Sequence, residues 1–120
     1  DLRLEAYRRL AAADTHAEVD DVVAEWEDRF GPLPEEAQGL ISLARLRVEA
    51  LRVGLKDLVQ VRHEIRMSPV DLKPSQEVRL ERLQPRAVLR AAEGELFIPA
   101  PRPLLEGVIG FLREMWPETD

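Results

Sequence analysis

AEWEDRFGPLPEEAQGLI, residues 24–41, places Trp26 and Phe30, five carboxylates and two prolines around Gly31. Gly31 supplies the open backbone that ends a helix, and Pro32 forbids its resumption. Pro34 fits the first turn of a new helix at no hydrogen-bond cost, and Glu35 and Glu36 then fall where the helix dipole favours negative charge. The stretch therefore predicts a helix, a corner and a second helix.

Upstream, Thr15 followed by Glu18 is a capping-box pattern and starts the helix that Gly31 ends. Val19, Val22, Val23, Trp26 and Phe30 follow one 3.6-residue stripe, which predicts a core face. Before it, Leu2, Leu4, Tyr7, Leu10 and Ala11 give a short first helix. After the corner, Ala37, Leu40, Ile41, Ala44, Val48 and Leu51 share one face, widened by Leu43 and Leu46, up to Gly54. Three helices thus fill residues 1–53.

Beyond Gly54 the texture changes. DLVQVRHEIRMSPV, residues 57–70, mixes β-branched and polar residues in near alternation and predicts two strands without a tight turn signal. SQEVRLERL, residues 75–83, opens at Pro74, closes at Pro85 and predicts a short helix with Val78, Leu80 and Leu83 apolar. AVLRAA and ELFIPA, residues 87–92 and 95–100, flank Glu93–Gly94 and predict a hairpin with a two-residue turn. Leu104, Leu105, Val108, Ile109, Leu112, Met115 and Trp116 give a closing amphipathic helix. The predicted class is α+β: a three-helix unit, then strand, strand, helix, strand, strand, helix, with a small, mainly antiparallel sheet. The 120 residues suffice for one hydrophobic core, so one domain is expected, helical over 1–53 and α+β over 54–120.

Chemistry-bearing motifs are scarce. The absence of cysteine excludes a disulfide framework and a thiolate nucleophile. His63 and Glu64 in RHEIR lack the second histidine of a zincin, since residue 67 is Met. His16 falls in the first turn of the second helix, where exposure is expected. No phosphate loop and no calcium ladder occur. No catalytic, cofactor-binding or metal residue is assigned, and no apolar run reaches the ~20 residues of a membrane span. A freestanding enzyme with a site assembled from His63, Glu64 and Arg66 is one alternative. A nucleic-acid-binding module built on Arg79, Arg82, Arg86 and Arg90 is another, although Glu77 and Glu81 interrupt those arginines.

The charge is uneven. Residues 14–36 hold nine acids and one base, a net −8 in a chain whose total is −6, so the remainder sums to +2. Glu18, Asp21, Glu25 and Asp28 follow i, i+3, i+7, i+10, which puts all four on one helix stripe turned away from Val19, Val22 and Trp26. Such a row suits a cationic partner, steered over about a Debye length of ~8 Å and weakened by salt. The same spacing also describes a solvated helix face, and periodicity leaves both readings open.

RLEAYRRL at 3–10, DRFGPLP at 28–34, and LARLR at 43–47 followed by Ala50 and Gly54 resemble the C-terminal domain of bacterial transcription-repair coupling factors. The likeness lies in the first 54 residues; the later half agrees in element order. It implies a regulatory piece of a larger ATP-driven DNA translocase of the bacterial cytosol, one that displaces stalled RNA polymerase and recruits nucleotide-excision repair. A chain that opens directly in a helix fits such an excision. The resemblance further implies that the domain packs on an N-terminal module similar to the damage-loading repair helicase and covers the surface that binds the repair ATPase. That partner surface carries arginines, and Glu18, Asp21, Glu25 and Asp28 are the complementary candidates. No direct nucleic-acid or membrane partner is expected.

Overall fold

In the computed structural model, which describes residues 2–118, the element order is α1 (Leu2–Ala12), α2 (His16–Phe30), α3 (Glu35–Val53), β1 (Asp57–Val61), β2 (Glu64–Ser68), α4 (Pro74–Leu83), β3 (Val88–Arg90), a 3-10 turn (Ala91–Glu93), β4 (Glu95–Pro99) and α5 (Leu104–Met115). The class is α+β, as the patterning predicts. Contacts group residues 1–48 into one compact unit and 49–120 into another, so the last turn of α3 is built into the second.

In the first unit, Thr15 caps α2 by accepting the Glu18 N–H on Oγ1 at 3.1 Å. Glu18 reaches back through Oε2 to the Asp14 N–H at 2.9 Å, one residue earlier than a standard capping box. Gly31 closes the helix at φ 82°, and its N–H donates to the Glu27 carbonyl at 3.0 Å. A side chain at that φ would be strained, which is why glycine stops the helix here. Ala6 and Leu10 of α1, Val19, Val22 and Trp26 of α2, and Ile41, Ala44 and Val48 of α3 form the buried cluster. Trp26 stacks on Tyr7 at 5.5 Å between ring centroids and meets Phe30 edge-on at 4.9 Å.

The structure narrows the apolar face of α3. Ala37, Ile41, Ala44 and Val48 are buried, as is Leu46 away from that line, but Leu40, Leu43 and Leu51 are 42%, 53% and 48% exposed. Residues 37, 41, 44 and 48 lie on one narrow line, and the leucines flank it; apolar periodicity alone does not say which arc is covered.

In the second unit all strand pairs are antiparallel, in the order β1-β2-β4-β3. Ile65↔Ile98 and Met67↔Leu96 are cross-strand partners, and all four are buried. With Leu80 of α4 and Val108, Phe111, Leu112 and Met115 of α5 they supply the second core. Two turns differ from expectation. The β1–β2 connection is a two-residue turn, Arg62–His63, between paired Val61 and Glu64, with Arg62 at φ 57°. It carries neither Gly nor Asn, the residues by which such turns are read. The β3–β4 loop has four residues: the 3-10 turn 91–93 and Gly94, left-handed at φ 66°, between paired Arg90 and Glu95. Val78, expected on the apolar side of α4, is 70% exposed.

Buried Glu49 sits in the last turns of α3. Its Oε1 accepts from Arg52 Nε at 3.1 Å and Nη2 at 2.9 Å, and Arg113 Nε of α5 stands 3.9 Å away. Arg52 Nη2 also reaches the Leu112 carbonyl at 3.5 Å, which ties this turn of α3 to α5.

Candidate functional site

The capped helix α2 carries Glu18, Asp21, Glu25 and Asp28 in a row that borders α1 and is not turned fully away from the core stripe: Glu25 shares one cleft with Val22 and Trp26, and Glu18 and Asp21 share another with Val22. Glu18, Asp21 and Asp28 are exposed and Glu25 is half-buried. The other acids of this segment do different work. Asp20 pairs with Arg45 of α3 at 2.6 Å, and Asp14 with Arg47 at 3.5 Å. Arg47 also donates to the Ala11 and Ala13 carbonyls at 2.7 and 2.9 Å and so caps the end of α1. Arg45 and Arg47 thus neutralise two carboxylates of this segment inside the unit. Asp21 and Asp28 make no hydrogen bond or ion pair with any described residue.

Glu25 differs from its neighbours. Arg9 of α1 donates Nη1 to Glu25 Oε2, and Arg29, one turn on, lies 3.4 Å from Oε1. The Arg9 hydrogen bond, then the Arg9 charge, hold the Glu25 carboxyl below the ordinary carboxylate value; partial desolvation opposes this and Arg29 adds to it. The same hydrogen bond raises the Arg9 guanidinium. The row therefore already holds a guanidinium supplied by the chain itself. The spacing of α2 places the carboxylates but gives no sign of Arg9, whose only sequence cue is its position one turn after Ala6 on the buried side of α1.

Beneath this bridge a small cleft of about 40 Å³ has Ala6, Val22, Trp26 and Phe30 on its walls. Trp26 is 6% exposed, and its Nε1–H is buried without a partner.

The residues of the enzyme alternative lie along the first hairpin. His63 is exposed in the turn, Glu64 opens β2, and Arg66 sits on β2 with Nε 3.8 Å from Glu95. Among the described residues no group of three or more His, Asp or Glu is arranged to hold a metal ion. Of the four arginines in the nucleic-acid alternative, Arg79 donates to the Met115 carbonyl at 2.9 Å and Arg90 lies over the Phe97 ring at 5.4 Å. Arg82 and Arg86 are exposed on α4 and in the turn after it. No helix among the described residues is long and apolar enough to cross a membrane.

The model of the TRCF domain matches residues 1–82. A transcription-repair-coupling factor of Mycobacterium bovis is 45% identical over 102 residues, covering 84% of this chain. The chain belongs to the TRCF domain family. The Escherichia coli transcription-repair-coupling factor is 43% identical over 56 residues, 47% of the chain. The chain spans 8% of the length of the mycobacterial relative and 5% of the E. coli one. A crystal structure of the C-terminal domain of transcription-repair coupling factor superposes with a TM-score of 0.75 at 16% identity, covering 93% of this chain and 77% of that one. The TRCF fold thus extends through the second unit, where the sequence carried no motif.

Proposed function

We propose that this chain is a regulatory interaction domain of a large ATP-dependent DNA translocase acting in transcription-coupled nucleotide-excision repair in the bacterial cytoplasm. The chain itself is non-catalytic; ATP hydrolysis and translocation belong to the parent. It packs through the α2 row on an N-terminal repair-helicase-like module of the same polypeptide and masks the surface that receives the repair ATPase. RNA polymerase and the repair ATPase are partners of the parent, reached only indirectly from this domain.

The observation that carries this reading is the carboxylate row of α2, uncompensated at Asp21 and Asp28 and holding the Arg9 guanidinium at Glu25. Intramolecular placement raises the effective concentration of the cationic surface, so a weak, exposed set of charge pairs suffices for closure. In the full-length parent, Glu25→Lys together with Asp28→Lys is expected to raise repair-ATPase binding by opening the mask. Unchanged binding would overturn the reading.

A further inference from the structure

We draw no further inference here: the strongest candidate, the outer face of the four-stranded sheet, where Val59, Arg66, Phe97 and Val88 stand in one cross-strand row, carries nothing because nothing in the structure shows what covers it.

Discussion

Glu49, with no exposed surface, takes Nε and Nη2 of Arg52 on the single oxygen Oε1. A buried carboxylate persists as a charge only with such compensation, so the two ways of breaking the pair should differ in cost. Arg52→Ala leaves the charge buried without its two guanidinium donors and is expected to cost about 3 kcal/mol in denaturant unfolding. Glu49→Leu removes the charge along with its need for a partner and should cost clearly less. The reverse order would contradict this account of the α3–α5 contact.

Gly107 of α5 is fixed by close approach, not by backbone angle. A Cβ there would lie 2.4 Å from Pro101 Cβ, and both the proline ring and the helix are constrained. Gly107→Ala should therefore destabilise the chain by ~1–3 kcal/mol, against the usual gain from replacing a helical glycine. Gly110, where an added Cβ meets nothing within 4 Å, is the internal control and should tolerate alanine or be stabilised by it.

Trp26 anchors the first unit by area and not by its polar atom. Trp26→Ala removes a 6%-exposed indole from between Tyr7 and Phe30 and should cost ~3–5 kcal/mol. Trp26→Phe opens a smaller cavity but also removes a buried N–H that has no acceptor, and these effects oppose each other. A cost within ~1 kcal/mol of the unaltered chain is expected from chemical denaturation.

How far the sequence foretold these features depends on how local each one is. Thr15, Gly31 and the Val19–Val22–Trp26 spacing act within a turn or two, so α2, its ends and its row of carboxylates were legible. The Arg62–His63 turn was not, because it spends strain at Arg62 in place of the customary glycine or asparagine. The burial of Glu49 and the exposure of Leu40, Leu43 and Val78 depend on which arc of each helix another element covers, and periodicity carries no such information. The Arg9–Glu25 bridge is hidden for the same reason: it follows from how α1 is rotated against α2.

The same bridge predicts a pH dependence. The folded-state pKa of Glu25 lies below its ordinary value of 4.5, so the stabilisation from Arg9 is present above that value and is lost as pH falls through the depressed folded value. The difference in melting temperature between the unaltered chain and Arg9→Gln should be constant near neutrality. It should narrow below about pH 4.5 and close once Glu25 is protonated. A difference that persists at strongly acidic pH would show that Arg9 stabilises by packing, not by charge.

The docking of α2 on a cationic surface is measured most directly as the affinity of this chain for the separately produced N-terminal module of its parent, across a salt series. The account predicts binding that weakens steadily with salt, and a loss of at least about ten-fold at low salt on Asp21→Lys with Asp28→Lys, two exposed carboxylates whose reversal leaves the core untouched. Affinity that is flat in salt and indifferent to that double reversal would contradict it.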